Sequence, residues 1–252
     1  MTGRRLLTVT LVALLALGAS AAPALGGPGG AAPGVLYLPD GSPLVVKLGN
    51  PLIRASGNGL AVAVRSTALL RGRLRISGTA PSGVGTVTIQ RSDVLAGWVP
   101  IASAAVAADG SFAAIWRPNR VGPLQLRAVT GAPAAGVADD DPGAPQLSMS
   151  VYRPGIASWY GPTGPDQTTA CGVPLEDSTL GVAHRTLPCG TPVAFYYKGR
   201  TIVVPVIDRG PFVKGRSWDL TNAAHTALGG DDGLIRVGAL PMPAPPAAAR
   251  VR

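Results

Sequence analysis

The stretch VIDRGPFVKGRSWDL (Val206–Leu220) decides how the fold of this chain is interpreted. An apolar run ends at Asp208, a Gly-Pro turn follows, and Asp219 stands near the end of the stretch beyond several cationic residues. Such a segment is either a loop that presents two acids to a substrate or a hydrogen-bonded turn that closes a β-structure. The sequence on either side is needed to choose between them.

The surrounding sequence is typical of an all-β protein. With 34 Gly and 25 Pro in 252 residues, the composition favours short strands and turns over long helices. In residues 60–153, apolar residues alternate in LRIS, TVTIQ, SFAAIW and LQLRA, which turn sequences separate. This pattern predicts an immunoglobulin-like β-sandwich. Short strands continue over residues 155–240, where one helix is expected to begin after Thr221 and to end at Gly229.

The two ends of the chain predict segments outside these domains. Residues 1–21 match a secretory signal peptide, with paired arginines, an apolar core and a small-residue cleavage site. The apolar core is too short to span a membrane comfortably, and no cysteine lies near the cleavage site for lipid attachment. We therefore expect a protein that is secreted or held in the cell envelope, is not a lipoprotein and has no transmembrane segment once processed. Residues 22–59 are predicted to be a Pro/Gly/Ala-rich leader and residues 241–252 a disordered tail.

The formal charge of +9 bears on the partners of the protein. A basic exported protein meets anionic envelope polymers before nucleic acid, so nucleic acid is not an expected partner. The acidic run Asp139–Asp141 lacks the spacing of calcium ligands and predicts a solvated loop. We expect no metal and no cofactor, and the sandwich is a candidate docking site for envelope proteins.

The two cysteines of the chain, Cys171 and Cys189, are expected to pair. An oxidising compartment favours a disulfide, which would stabilise the fold by about 3 kcal/mol through loop closure. A metal site is the alternative, but no cluster of His or Cys accompanies the two thiols.

Four motifs of the second half resemble those of one known family. They are ASWYG (157–161), AHRTLPCGT (183–191), DRGPF (208–212) and GRSWDL (215–220). In this order and spacing they resemble the RlpA-like double-psi β-barrel family, which includes septal lytic transglycosylases and is related to expansins. The resemblance implies a six-stranded double-psi β-barrel with one or two short helices over residues 155–240. It also implies that peptidoglycan glycan strands are the partner and that the MurNAc–GlcNAc linkage is the bond cleaved.

Roles for individual residues follow from the same resemblance. A lytic transglycosylase needs one group that protonates the glycosidic oxygen and then deprotonates the 6-hydroxyl of the sugar. Asp219 is the expected acid, Asp208 the second or positioning carboxylate, and His184 a hydrogen-bonding group. The predicted substrate-binding residues are Trp159, Tyr160, Arg209, Phe212, Arg216 and Trp218. Purely structural roles stay open for both aspartates and for His184, and His225 is predicted to be a surface residue.

One segment departs from the family pattern. Catalytic members carry T-A-N-G-E-x-[FY]-D, whereas this chain reads TACGVPLED. Cys171 therefore replaces the Asn, Val173 replaces the Glu, and Glu176 stands at the Asp position as a candidate substitute acid. Valine cannot transfer a proton, so two alternatives stay open: an expansin-like module that binds or loosens glycan without cleaving it, and a domain that docks a partner protein.

Overall fold

The structure is a computed structural model that describes residues 49–131 and 141–243. The predicted signal peptide, most of the leader, Asp139, Asp140 and most of the tail lie outside these residues. The first eight strands are β1 (Leu52–Gly57), β2 (Leu60–Arg65), β3 (Thr67–Leu69), β4 (Leu74–Thr79), β5 (Thr86–Asp93), β6 (Gly97–Ala105), β7 (Ser111–Trp116) and β8 (Gly122–Thr130). The remaining elements are β9 (Gln146–Tyr160), β10 (Val182–Ala183), β11 (Pro192–Tyr197), β12 (Arg200–Asp208), β13 (Trp218–Thr221), α1 (Asn222–Leu228) and β14 (Ile235–Pro241).

Strands β1 to β8 and the first half of β9 form two sheets around one apolar core. One sheet has the order β1-β2-β4-β7, and the other has the order β6-β5-β8-β9 with β3 parallel to β9. Alternate residues point inward, as in β7, where Phe112, Ala114 and Trp116 are buried and the residues between them are not. The predicted strands LRIS, TVTIQ, SFAAIW and LQLRA fall within β4, β5, β7 and β8. The immunoglobulin-like assignment of these sheets stays a prediction.

The end of the predicted leader takes part in this sheet structure. Strand β1 lies within residues 22–59 and pairs with β2 from Leu52 opposite Arg65 to Gly57 opposite Leu60. Its alternating side chains explain the pairing, because Ile53 and Ala55 pack against the core and the residues between them face solvent.

The second half of β9 continues into a closed barrel. Going round it, β9 pairs with β13, β13 with β10, β10 with β12, β12 with β11, β11 with β14, and β14 again with β9. Two of the six pairings, β9–β13 and β10–β12, are parallel and the others are antiparallel. Closure leaves no free sheet edge, and fully buried residues such as Val182, Phe195 and Leu220 fill the interior. The predicted six-stranded double-psi β-barrel is confirmed.

The one helix of the described residues begins and ends where the sequence predicts. The Thr221 side chain accepts a hydrogen bond from the Ala224 N–H, and Gly229 ends the helix in the left-handed conformation with φ of 71°. Ala224 and Leu228 join the barrel core. No helix among the described residues is both long enough and apolar enough to cross a membrane.

Candidate active site

The two aspartates lie on two strands of the barrel, β12 and β13, that flank β10 on either side. Ala183 of β10 pairs with Asp208 at the end of β12 and with Asp219 in β13. Asp219 pairs in turn with Ser158 of β9. Register partners share one face of a sheet, so these four side chains form one row. Two strand spacings separate the aspartates, which corresponds to about 10 Å between their Cα atoms, and Ala183 is the register partner of both.

Asp208 is held in a fixed orientation by the backbone. Its Oδ1 accepts hydrogen bonds from the N–H of Ala170 at 2.9 Å and from its own neighbour Arg209 at 2.8 Å. Its carbonyl oxygen also accepts the N–H of His184 at 3.1 Å. Asp208 therefore has the turn-forming role that the sequence left open, and this role fixes the position of its carboxyl group at the strand end.

Asp219 has a different environment. Its carboxyl group is half-buried, and Oδ1 has no hydrogen-bond partner among the described residues. Burial raises the pKa of Asp219, and the charge of Asp208 adds to this rise. The contact with Ser158 and the positive charge of Arg216 act in the opposite direction and lower the pKa. The Ser158 hydroxyl group does not, however, meet the geometry of a hydrogen bond. A carboxyl group with a raised pKa is suited to donate and recover a proton.

Tyr160 brings its hydroxyl group close to both carboxylates. Burial raises the pKa of Tyr160, and the charge of Asp208, the contact of the hydroxyl group with the Asp208 carboxylate and the charge of Asp219 raise it further. The hydroxyl is buried without a hydrogen bond of normal geometry. Tyr160 therefore stays protonated and offers the site an O–H donor, and its role in substrate binding stays a prediction.

Trp159 and His225 form a stacked pair beside the row. Their ring centroids are 5.3 Å apart with 24° between the planes, and Trp159 is 43% exposed. His225 is buried, and its Nε2 lies 3.0 Å from the carbonyl oxygen of Asp231. The prediction of His225 as a surface residue is wrong, because Trp159 covers its ring and the backbone of Gly230 packs against it.

His184 is fixed as a neutral imidazole with its proton on Nε2. Its Nδ1 accepts hydrogen bonds from the N–H of Thr186 at 3.2 Å and of Leu187 at 3.0 Å. Burial lowers the pKa of His184, and the charges of Arg185 and Arg209 lower it further. Because Nδ1 is occupied as an acceptor, Nε2–H is the group that remains to donate.

Two arginines hold the loops that carry these groups. The Arg209 guanidinium donates to the carbonyl oxygens of His184 and Leu187 and contacts Cys189 Sγ at 3.2 Å. Arg185 reaches in the opposite direction, to three carbonyl oxygens of the loop after Asp208, at Pro211, Val213 and Arg216. Arg209, which was predicted to bind substrate, is engaged with backbone carbonyl groups, and Arg185 was not among the predicted site residues.

The disulfide between Cys171 and Cys189 is confirmed, with an S–S distance of 2.03 Å. It joins the segment before His184 to the turn after it. The N–H of Cys171 donates to the carbonyl oxygen of Ile207, directly before Asp208. No group of three His, Cys, Asp or Glu side chains suited to a metal occurs within residues 49–131 and 141–243.

The other predicted site residues occupy different positions. Phe212 is 80% exposed at the tip of the loop that Arg185 holds, and Arg216 is half-buried near Asp219. Trp218 is 7% exposed in the barrel core, where its ring contacts His184 and the edge of Phe195, so its faces are covered.

The segment that departs from the family pattern forms a tight turn. The N–H of Val173 donates to Thr169 Oγ1, and its carbonyl oxygen accepts the N–H of Thr169. Glu176 is exposed, and its carboxylate accepts a hydrogen bond from Ser178 at 3.5 Å. Glu176 lines a shallow groove together with Asp166, Gln167, Asp177 and their neighbours.

Comparisons with known proteins agree with this geometry. The family model described as lytic transglycolase matches residues 153–239. The probable endolytic peptidoglycan transglycosylase RlpA of Aquifex aeolicus is 42% identical over 95 residues, which cover 37% of this chain and 40% of the relative. The corresponding protein of Synechocystis is 47% identical over 84 residues, covering 32% of this chain and 26% of the relative. The endolytic peptidoglycan transglycosylase RlpA of Campylobacter jejuni is 43% identical over 84 residues, covering 32% and 30%.

The match to these relatives is confined to the barrel. The chain spans between about a quarter and two fifths of the length of the three curated relatives. A solved structure, Streptomyces papain inhibitor, matches 34% of this chain and 91% of its own, with 30% identity and a TM-score of 0.27. The closed six-stranded barrel, the motif residues placed around β10 and the family match over the same segment lead to one conclusion. Residues 153–239 form an RlpA-like double-psi β-barrel domain.

Proposed function

We propose that the barrel domain cleaves the MurNAc–GlcNAc linkage of peptidoglycan glycan strands as a lytic transglycosylase. The observation that carries this proposal is the pair of unlike carboxyl groups on either side of Ala183. Asp219 is half-buried with a raised pKa, and Asp208 is fixed by two backbone N–H groups. The relatives that match this domain are named endolytic peptidoglycan transglycosylases.

Asp219 supplies the proton in the proposed reaction. Its carboxylic acid protonates the glycosidic oxygen, the bond from C1 of MurNAc to that oxygen breaks, and the GlcNAc leaving group departs with the proton. The 6-hydroxyl oxygen of the same MurNAc then bonds to C1, and its proton passes to the Asp219 carboxylate. The product is a 1,6-anhydroMurNAc end, no water is consumed, and the acid is regenerated.

The neighbouring groups stabilise and orient the sugar. The fixed negative charge of Asp208 stabilises the positive charge that develops at C1 when the bond breaks. His184 donates through Nε2–H to a sugar oxygen, since its Nδ1 is occupied. The exposed face of Trp159 and the ring of Phe212 offer apolar surfaces to the pyranose rings.

A second candidate function is glycan binding without cleavage, as in expansin-like modules. The presence of Val173 where the family pattern has Glu favours it, because this chain lacks one of the carboxylates that the pattern supplies. Glu176, the candidate substitute acid, is exposed in its own turn and accepts a hydrogen bond from Ser178.

The protein is proposed to act in the cell envelope, where peptidoglycan lies. This location agrees with the relatives' printed names and with the predicted signal peptide. We extend the proposal to export by that signal peptide and to docking of envelope proteins by the sheets of residues 52–151.

Product analysis tests the proposed function. The full chain would be incubated with peptide-free glycan strands, and mass spectrometry would detect 1,6-anhydroMurNAc ends. These ends should form with the native protein, disappear in Asp219→Asn and persist in Asp232→Asn, a matched change at an exposed aspartate. Binding to the strands without any such product would support the second candidate. Absence of both binding and product would contradict both and leave a partner-docking role.

A further inference from the structure

Four buried polar atoms beside the candidate acid have no hydrogen-bond partner among the described residues. They are Ser158 Oγ, Tyr160 OH, Asp219 Oδ1 and Asn222 Oδ1, and residues 49–131 and 141–243 hold one other such atom, Arg91 Nε. A buried polar atom without a partner costs about 1–3 kcal/mol, so folded proteins contain few of them. Their concentration at one place indicates a site that a bound group completes.

The residues that carry the four atoms lie at or next to the pairing of β9 with β13. Ser158 is the register partner of Asp219, and Tyr160 is the partner of Thr221, which directly precedes Asn222. Ser158 and Tyr160 are two residues apart in one strand and face the same side. Ser158 is only 6% exposed, so no bulk water satisfies its hydroxyl group.

Gly161 makes room for Asn222 at this place. A Cβ atom on residue 161 would overlap the side-chain amide of Asn222. The glycine that ends the ASWYG motif therefore lets the amide pack directly against the backbone after β9. Asn222 lies two residues beyond the GRSWDL motif, so the resemblance did not identify it as a site residue.

The unpartnered atoms define the chemistry of the group that would satisfy them. Asn222 Oδ1 requires a hydrogen-bond donor, and the hydroxyl groups of Ser158 and Tyr160 can donate to an acceptor. A secondary amide offers one N–H and one C=O, and the sugars of a peptidoglycan strand carry such an amide as the acetamido group. We propose that Ser158, Tyr160 and Asn222 form a subsite beside Asp219 for the acetamido group of an N-acetylated sugar.

This subsite would make the protein selective for N-acetylated glycan, and it rests on the proposed function because its ligand is the glycan strand. An N-deacetylated sugar presents an ammonium group at this position. The ammonium group has donors and no acceptor, so it cannot accept from the two hydroxyl groups, which are then left with the carboxylates of Asp219 and Asp208 alone. Binding of the acetamido group also places the sugar next to Asp219.

The test compares one glycan in three forms. Peptide-free strands would be used as isolated, after chemical N-deacetylation, and after re-acetylation, which controls for damage to the strands. Cleavage rates and equilibrium binding would be measured for the native full chain, Asn222→Ala and Ser158→Ala. The matched control is Thr226→Ala on the exposed face of α1. The ratio between acetylated and deacetylated strands is the readout, because it cancels any general effect on Asp219.

We expect the native protein and Thr226→Ala to prefer acetylated and re-acetylated strands by about 10-fold, as the loss of one or two buried hydrogen bonds predicts. In Asn222→Ala and Ser158→Ala the ratio should fall towards one. Equal use of both forms by the native protein, or a ratio that both variants retain, would overturn the subsite. If no form is cleaved, the proposed function fails, and the same ratio measured by binding then decides the subsite.

Discussion

At the scale of single residues, burial of Asp219 opposes stability at neutral pH. Its pKa in the folded state is raised, so between the two pKa values the folded protein binds a proton that the unfolded chain, with a pKa of about 3.9, has lost. The stability linked to this group is therefore complete below the unfolded pKa and is lost as the pH rises through the folded pKa. We expect Asp219→Asn to abolish cleavage and to raise the thermal midpoint at pH 7 by about 1–3 °C.

The pH dependence separates this effect from a general change in packing. At pH 3 the carboxyl group is mostly protonated in both states, so calorimetry should find almost no gain for Asp219→Asn. The exposed Asp232→Asn should leave the midpoint unchanged at both pH values. A lower midpoint for Asp219→Asn at pH 7 would show that the ionised carboxylate is stabilised by the fold after all.

His184 combines a structural acceptor and a candidate sugar donor on one ring, and two substitutions can separate them. Asparagine can place an oxygen where Nδ1 accepts from Thr186 and Leu187, whereas phenylalanine cannot. We expect His184→Phe to lower the free energy of unfolding by about 1 kcal/mol more than His184→Asn, as measured in urea. Both variants lose Nε2–H, so both should lose activity.

Because the pKa of His184 is lowered, the difference in stability between the native protein and His184→Asn should depend on pH. A histidine whose folded pKa is depressed contributes stability above its unfolded pKa of about 6.5, and this stability is lost as the pH falls through that region. The native protein should therefore lose stability between pH 7 and pH 5 more steeply than His184→Asn. Equal slopes would contradict the assignment of a neutral imidazole.

Val173 is the position where a missing carboxylate can be restored. Two hydrogen bonds with Thr169 hold its backbone, and Thr169 is followed directly by Ala170, which donates to Asp208. Its half-buried side chain can be replaced without disturbing the barrel core. We expect Val173→Glu to raise turnover of glycan strands by about 100-fold, the usual size of a general acid–base contribution. Val173→Gln, which has the same length without the acid, should give no gain; a similar gain from both would contradict this role.

At the scale of elements, the disulfide acts on the site through Asp208. Cys171 directly follows Ala170, whose N–H donates to Asp208, and Cys189 contacts Arg209, the residue after Asp208. The disulfide therefore joins two segments that lie next to that aspartate. We expect Cys171→Ser with Cys189→Ser to lower the free energy of unfolding by about 3 kcal/mol. Turnover should fall more than the KM rises, when it is measured at a temperature where the variant is folded.

A double-mutant cycle tests whether this loss of turnover passes through Asp208. If the disulfide positions the Asp208 carboxylate, its removal should cause little further loss in Asp208→Asn, so the two effects should not add. Additive losses would assign the disulfide to stability alone.

The elements of the barrel were predictable because their signals are local. The residues that begin and end the helix, Thr221 and Gly229, directly flank the helix sequence. The chain has two cysteines, and an oxidising compartment favours a disulfide between them. The sequence did not predict burial of His225, which depends on Trp159 from a strand distant in the chain. It also did not predict the contacts of Arg185, because an arginine in a loop gives no sign of which carbonyl groups it will reach.

The candidate site was predictable to a similar extent. The motifs identified Asp208 and Asp219 as the carboxylates, but not their difference, which comes from backbone donors to one and burial of the other. Asn222 was not among the predicted site residues, because its position at the start of a helix is enough to explain an asparagine there. Its unpartnered oxygen becomes visible only when the neighbours are known.

At the scale of the whole molecule, β9 connects the two parts of the described chain. This strand, Gln146–Tyr160, pairs with β8 in its first half and with β13 and β14 in its second half. An apolar cluster spans the same junction, with Tyr152, Leu69 and Val121 packed near barrel residues Ala194 and Leu240. A shared strand and a shared cluster couple the two parts, so we expect calorimetry to show one cooperative unfolding transition.

Gly238 offers a sharp test of this coupling, because it lies in the barrel strand β14 directly against the junction. A Cβ atom there would lie 2.7 Å from Leu69 Cδ2 and 2.8 Å from Tyr152 Cβ. We expect Gly238→Ala to cost about 1–3 kcal/mol by overpacking and to split the single transition into two. Gly85→Ala, where a Cβ atom meets no atom within 4 Å, should leave the single transition intact.

A second substitution shows whether the junction itself is responsible. Leu69 provides the nearest atom to the new methyl group, so Leu69→Ala combined with Gly238→Ala should recover part of the lost stability and bring the two transitions together again. Leu69→Ala alone should be destabilising, because it leaves a cavity in the cluster, and the pair would therefore show a favourable coupling energy. Additive losses, or one transition in Gly238→Ala at a lower midpoint, would mean that β9 alone couples the two parts and that the apolar cluster contributes only to stability.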